Sequence, residues 1–344
     1  MVSPWRTRAL PAYEVLYSPI FREHRPKEYH PENPSRLEYA IEGLKEHNLW
    51  INVREPEDTT ITELLKVHGR EHVELIRKLS TGFDYLDPDT YVSPGTWEAA
   101  LKALGASKEV ALSAMEKKGL YLALVRPPGH HAGKDGRAFN APSLGFCIFN
   151  NAAFAAYTLK ELKGKVVIVD FDAHHGNGTQ EIFWNDPNII HIDIHERDIY
   201  PWSGYEHDIG GRDAKGTKIN IPMPHYSTDD DYIFAWREVV LPILEEIKPE
   251  VVLVSAGFDG FRGEYLTMLR LTERFFRYAG STLSRYSLAV ILEGGYNVGL
   301  KKGLPAFIES YLNEKDVEEI AHPGYEAIKT VESVVEIQRE WWGI

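Results

Sequence analysis

Asp172-Ala173-His174 sets a carboxylate and an imidazole two residues apart. Alternate residues leaving a strand project to one side, so both can reach one ion. Asp259, in Ser255-Ala256-Gly257-Phe258-Asp259, follows a second apolar run and is the best third ligand. Two carboxylates and one neutral imidazole balance a divalent charge. Three protein ligands with an open position are the pattern of a catalytic zinc site. The same set would accept iron or cobalt. Alone, an Asp-x-His pair is also what a turn carboxylate beside a capping histidine looks like. The surrounding loops favour the metal.

A bound metal polarises a carbonyl and lowers the pKa of a water toward neutrality. Hydrolysis still needs a base for the water and an acid for the leaving group. The adjacent His130 and His131 can divide that work, each with a partner fixing its tautomer. Asp170 and Asn177 lie on the ligand loop and suit that purpose. A His paired with Asp is more basic than one paired with Asn, so the two could differ in role. Tyr296 follows Gly294-Gly295, a turn that lets backbone pass close to a site. Its hydroxyl could hydrogen-bond a developing oxyanion. Without the metal motif, a tandem His would read as loop hydrogen bonding and Tyr296 as a packed turn residue. Cys147 reads as a buried residue. His175, His191, His195, His207 and His225 read as packing or loop residues.

These groups need a frame. Apolar runs at 13–17, 121–125, 166–170, 189–193, 251–255 and 288–292 are rich in Val, Ile and Leu without polar alternation. They read as buried parallel strands. Segments 97–117, 150–163, 230–247 and 271–286 have helical spacing. The alternation predicts a mostly parallel sheet with helices on both faces. Ligands in such sheets bind beyond the carboxyl ends of the strands, which is where the chemical residues fall. Segment 324–342 reads as an amphipathic helix docked on the body. With no repeat and no long linker, residues 1–344 read as one domain.

Composition narrows the classes. Apolar residues are 43% and charged residues 26%, an ordinary globular balance. A net charge of -13 and no basic block argue against direct nucleic-acid binding. No apolar run approaches the ~20 residues of a membrane helix. Residues 1–17 lack a secretory pattern. A single cysteine excludes a disulfide framework, and the whole suits the cytoplasm.

Ordered motifs then add a resemblance. His30-Pro31-Glu32-Asn33-Pro34-Ser35-Arg36-Leu37, Asp89-Thr90-Tyr91-Val92-Ser93, Arg126-Pro127-Pro128-Gly129-His130-His131-Ala132 and Gly145-Phe146-Cys147-Ile148-Phe149-Asn150-Asn151 precede the Asp170–Gly178 motif. Gly257-Phe258-Asp259 and Glu293-Gly294-Gly295-Tyr296-Asn297 follow it. Together, from about His30 to Gly299, they resemble the histone deacetylase superfamily, which includes acetylpolyamine amidohydrolases and acetoin-utilisation proteins.

The resemblance implies a three-layer αβα arginase-deacetylase fold and zinc-dependent removal of acetyl or short acyl groups from amines such as acetyl-lysine. It implies one zinc per chain on Asp172, His174 and Asp259, with His130, His131, Asp170, Asn177 and Tyr296 catalytic. Asn177 in place of Asp is similar to the class II branch. Gly145 and Phe146 would wall an acyl-amine tunnel opposite Tyr200. Asp89 would grip substrate at the rim, Gly294, on the turn before Tyr296, would contribute to substrate binding, and Arg36 would line an inner acetate cavity. Structural potassium is implied near the Asp170–His174 backbone, although Asp193 stands where a Ser often contributes. Glu264-Tyr265 replaces the usual Asp-Pro. Leu266 falls where a polyamine-selective relative has Glu, which points away from polyamines. A neighbouring chain in a homo-oligomer could narrow the entrance. The rivals are a ureohydrolase of the arginase type, against which Asn177 and the Gly-Gly-Tyr turn argue, and a non-catalytic acetyl-amine binding protein.

Overall fold

Strands that are apolar on both faces must be covered on both faces, so they demand helices above and below. In the computed structural model, which describes residues 11–313 and 320–344, eight strands meet that demand. They are β1 (Ala12–Leu16), β2 (Val53–Arg54), β3 (Gly119–Ala123), β4 (Val166–Asp170), β5 (Ile189–Glu196), β6 (Lys218–Met223), β7 (Val251–Ala256) and β8 (Ser287–Leu292). They form one sheet in the order β6-β5-β4-β7-β8-β3-β1-β2, and every pairing in it is parallel. Strands β3 to β8 are buried at every residue.

Helices Thr96–Glu116 and Asn151–Lys163 pack together on one side of β3, β4, β7 and β8. A second connected group comprises Ser35–Glu46, Glu273–Leu283, Leu304–Asn313 and the C-terminal Tyr325–Gln338. The sequence order jumps at the centre of the sheet, so β4, β7, β8 and β3 become neighbours. Their carboxyl ends therefore bring four loops to one place, although those loops lie up to 170 residues apart in the chain.

All six strands expected from the sequence are present. The 121–125 run is paired two residues earlier, at Gly119–Ala123. Strands β2 and β6 were not expected: β2 has two residues, and Lys218-Ile-Asn-Ile-Pro-Met alternates and contains proline, which usually marks an edge. The 230–247 segment is helical from Asp229 to Ile247, with a π turn over Trp236–Val240 just before Pro242. Proline has no N–H to give to the previous turn, which accounts for the local widening. The C-terminal helix docks on the body: Trp342 Nε1 donates to Gly216 O at 2.7 Å and Gln338 Nε2 to Lys218 O at 3.0 Å. Among the described residues no helix is long and apolar enough to cross a membrane. The expectation for residues 1–17 falls mostly on residues 1–10, outside the described part.

Candidate metal and acid–base site

At the end of β4 and β7, Asp172, His174 and Asp259 converge, all buried. His174 Nδ1 lies 3.2 Å from Asp172 Oδ1 and 2.9 Å from Asp259 Oδ2. Backbone donors fix the carboxylates from behind. Ala173 N donates to Asp259 Oδ1 at 3.0 Å, and Gly294 N to Asp172 Oδ2 at 2.7 Å. A side chain on Gly294 would strike both carboxylates, so only glycine lets this backbone close in. Asp259 Oδ2 is buried with no hydrogen bond of its own.

Such a centre demands positive charge. Burial disfavours a charged His174, yet Asp172 and Asp259 outweigh it and raise the imidazole to about 10. Burial and the charge of Asp172 push Asp259 above the usual carboxylate range. Two carboxylates aimed at one imidazole nitrogen, with an orphan oxygen between, fit a divalent cation. The three residues are positioned to hold a metal ion.

The loop after β3 carries the histidine pair. Glu293 Oε2 accepts from Gly129 N at 2.7 Å and His130 N at 3.1 Å, latching this loop to the end of β8. The His130 and His131 rings lie 4.0 Å apart. His130 Nδ1 faces Asp170 Oδ2 at 3.1 Å, and its Nε2 lies 3.7 Å from Asp172 Oδ1. Burial opposes its charge, but Asp172 and Asp170 prevail and hold His130 well above the ordinary imidazole range. His131 Nδ1 faces Asn177 Oδ1 at 2.8 Å, and Asn177 Nδ2 donates to Ala138 O at 3.3 Å. That second bond orients the amide, so His131 carries its proton on Nδ1 and leaves Nε2 a lone pair. Burial, with the neighbouring His130 and His174, holds His131 well below the ordinary range.

A cavity of about 200 Å³ opens onto this centre, lined by Asp89, His131, Gly145, Phe146, His174, Tyr200, Leu266 and Tyr296. Phe146 faces Tyr296 edge-on at 6.1 Å, and Tyr200 faces His131 at 4.9 Å. Gly145 and Phe146 both have left-handed backbone, at φ 52° and 71°, which is costly for phenylalanine and aims its ring into the cavity. Gly145 admits Tyr200, whose ring would meet any Cβ there. Asp89 sits in the turn of the hairpin Asp84–Asp87 and Thr90–Val92. Its carboxylate accepts from Thr90 Oγ1 at 2.8 Å and from Ser143 Oγ.

Arg36 is buried and is not among the residues that line this cavity. Its buried guanidinium donates to Gly295 O at 2.5 Å, to Glu293 O and to Glu32 Oε1 at 3.0 Å, and it lies 4.9 Å from the Tyr296 ring centroid. It ties down the turn that carries Tyr296. Three further residues escaped the sequence reading. Glu264 Oε2 accepts from Tyr296 N at 3.0 Å, and its Oε1 accepts from Asn297 N at 3.0 Å and Gly299 N at 2.8 Å. Glu293 latches the histidine loop. Glu32 holds both Arg36 and Arg126. In the sequence Glu32 and Glu293 stand only as members of the ordered motifs and Glu264 only as a departure from Asp-Pro, and none of them carries a spacing that shows what it holds.

The histone deacetylase domain matches residues 30–311. The chain belongs to the histone deacetylase family of hydrolases. It is 52% identical over 304 residues to an uncharacterized protein of Methanocaldococcus jannaschii, covering 88% of this chain and 89% of that one. It is 33% identical to a probable deacetylase of Methanothermobacter thermautotrophicus, covering 90% and 94%. Histone deacetylase 15 of Arabidopsis thaliana is 36% identical over 91% of this chain and 59% of its own length. The crystal structure of the HDA15 HD domain superposes with a TM-score of 0.89 at 33% identity, covering 96% of this chain and 95% of that domain. The architecture is the arginase-deacetylase fold.

Proposed function

We propose that the chain is a single-domain, zinc-dependent amidohydrolase that removes acetyl groups from primary amines, acetyl-lysine foremost. One observation carries this reading. Asp172, His174 and Asp259 converge, and His174 lines one cavity with His131 and Tyr296, while His130 lies beside Asp172 and faces Asp170. Zinc is favoured because two carboxylates, one imidazole and an open position suit it.

The acetamide enters past Phe146 and Tyr200, with its carbonyl between the ligand trio and Tyr296. A bound divalent ion would polarise that carbonyl and acidify a water beside it. His131 Nε2, with its lone pair free, takes the proton from the water as oxygen adds to the carbonyl carbon. Tyr296 donates its hydroxyl proton in a hydrogen bond to the oxyanion. His130, kept charged by Asp170, adds positive potential on the same side. His131 then passes its proton to the amine nitrogen as the C–N bond breaks, leaving acetate and free amine. Leu266 in the cavity wall supplies no carboxylate to grip a second ammonium, which favours acetyl-lysine over an acetylpolyamine.

Turnover of an acetyl-lysine peptide, an acetylpolyamine and a small acetylated amine by zinc-loaded protein tests the reading. Loss of turnover on chelation and its return with zinc are expected. No turnover of any of the three would leave the non-catalytic reading. Asp259→Ala should lose the catalytic ion by metal analysis; an unchanged metal content would remove Asp259 from the ligand set.

A further inference from the structure

The loop after β3 leaves its own N–H groups short of backbone acceptors. Gly129, His130 and His131 are consecutive, and all are buried. Their carbonyls are served by backbone: Ala132 N donates to Gly129 O at 2.9 Å and Thr179 N to His130 O at 3.1 Å. Among the described residues, none of their three N–H groups meets a carbonyl. Gly129 N and His130 N both donate to Glu293 Oε2, and His131 N donates to Cys147 Sγ at 3.4 Å. Buried N–H groups need acceptors, and sulfur is a weak one. Glu293 therefore carries most of this demand.

Successive N–H groups that converge on one oxygen form a nest, a concavity suited to an anion. Here the occupant is the chain's own carboxylate. Holding it there is costly. Glu293 is fully buried, and its Oε1 has no hydrogen-bond partner, so one carboxyl oxygen stays dry. Burial pushes the carboxyl up to about 7, with His130 and the two N–H groups pulling it back. Above neutral pH the group is charged. An apolar side chain would be buried at less cost, which points to the two bonds to the loop as the reason for the carboxylate.

The carboxylate is itself anchored. Glu293 N donates to Ala256 O at 2.9 Å, at the end of β7, and Glu293 O accepts from the Arg36 guanidinium. Each imidazole of the pair is thereby held at two ends. Asp170 and Asn177 face the ring nitrogens of His130 and His131, and Glu293 fixes the backbone from which both rings leave. A shift of that backbone moves both rings against Asp172, His174 and Asp259. A misplacement of about 1 Å can cost about 10²-fold in rate.

We infer that the Gly129 and His130 amides form an anion-binding nest, that the Glu293 carboxylate is its built-in occupant, and that Glu293 is the positioning residue of the histidine pair. Glu293 does not line the cavity and acts through the loop. Its effect on turnover rests on the deacetylase reading; the nest itself does not. With the side chain cut back, a small free carboxylate has the charge and the size to take its place.

Formate, the smallest carboxylate, is the probe. Parent, Glu293→Ala and Glu293→Gln are loaded with zinc and melted above neutral pH, with and without excess formate. Formate should raise the Tm of Glu293→Ala by about 1–3 °C more than that of the parent. Glu293→Gln fills the nest with its own amide and should respond as the parent does. A response in Glu293→Ala no larger than the parent's would overturn the nest. On an acetyl-lysine peptide, kcat of Glu293→Ala should fall about 10–100-fold, with KM and zinc content near the parent's, and formate should restore it several-fold. Glu293→Gln keeps one acceptor oxygen without the charge, so its kcat should lie between the two; it answers the question if Glu293→Ala does not fold. Parent-like kcat in the variants, a loss that formate leaves untouched, or loss of zinc together with activity would overturn the positioning role. A parent that turns over no acetylated amine would sink the deacetylase reading instead, and the melts would still decide the nest.

Discussion

Two adjacent histidines are shifted in opposite directions. Asp172 and Asp170 hold His130 above the ordinary imidazole range against burial, while burial with His130 and His174 holds His131 below it, against the weaker pull of the Asn177 hydrogen bond. A base must be neutral to accept a proton, and burial with two flanking imidazoles keeps His131 neutral. Its protonation therefore limits turnover only on the acidic side. Asn177→Asp places a carboxylate on Nδ1, which raises the His131 pKa. The acidic limb of the kcat/KM profile should move up by about one pH unit. A limb that stays put would take His131 out of the base role. Tyr296 acts on the other side of the carbonyl. Tyr296→Phe should lower kcat by roughly 10²–10³, as loss of one oxyanion donor does, with zinc content unchanged. Near-normal turnover would mean that the phenol only packs.

At the scale of elements, loops hold one another through buried acids. Glu264 gathers three backbone N–H groups of the turn after β8. Burial pushes it up to about 7, against the pull of those donors. Glu264→Ala leaves three N–H groups without an acceptor, each costing about 1–3 kcal/mol if it stays dry. The turn should loosen, kcat should fall about 10–100-fold by misplacement of Tyr296, and zinc should remain. Glu264→Gln keeps one acceptor oxygen and should fall between the two. Equal kcat in all three proteins would make the clamp irrelevant to Tyr296. The sequence displays Glu264 plainly, but only as a departure from the usual Asp-Pro. Three N–H groups converge on it through folding, and no spacing rule encodes that. Asp172 and His174 were legible because alternation along a strand is local. Asp259 needed its strand end, and its pairing with them needed β4 and β7 to be neighbours. Arg36 was legible as a motif residue, yet its grip on the Gly295 and Glu293 carbonyls depends on a contact across some 260 residues. Strand β6 was missed because the C-terminal helix, not its own pattern, buries it.

At the scale of the whole molecule, that burial leaves a lysine inside the protein. Lys218 begins β6 and is fully buried, with Nζ donating to Ile189 O at 2.7 Å and Thr217 Oγ1 at 2.8 Å. Its backbone oxygen receives Gln338 of the C-terminal helix. Burial lowers its pKa from 10.5 to about 7, against a weaker opposing pull from Asp186. The sign follows from linkage. Above pH 10.5 the amine is neutral whether folded or unfolded, and burial costs no charge. As the pH falls from 10.5 to about 7, the unfolded chain takes up the proton and the folded chain does not, so stability is lost across that window. Below it, both states are protonated and the loss is constant. Lys218→Met removes the titrating group. It also removes the donor to Ile189 O and Thr217 Oγ1, a cost that does not vary with pH. The difference in unfolding free energy, variant minus parent, should therefore rise toward the variant as pH falls from 10 to 7, by roughly 3–4 kcal/mol at about 1.4 kcal/mol per pKa unit, and then level off. Urea midpoints at pH 10, 8.5, 7 and 6 would measure it. A difference that is flat across those pH values would show that Lys218 reaches water despite the helix over it.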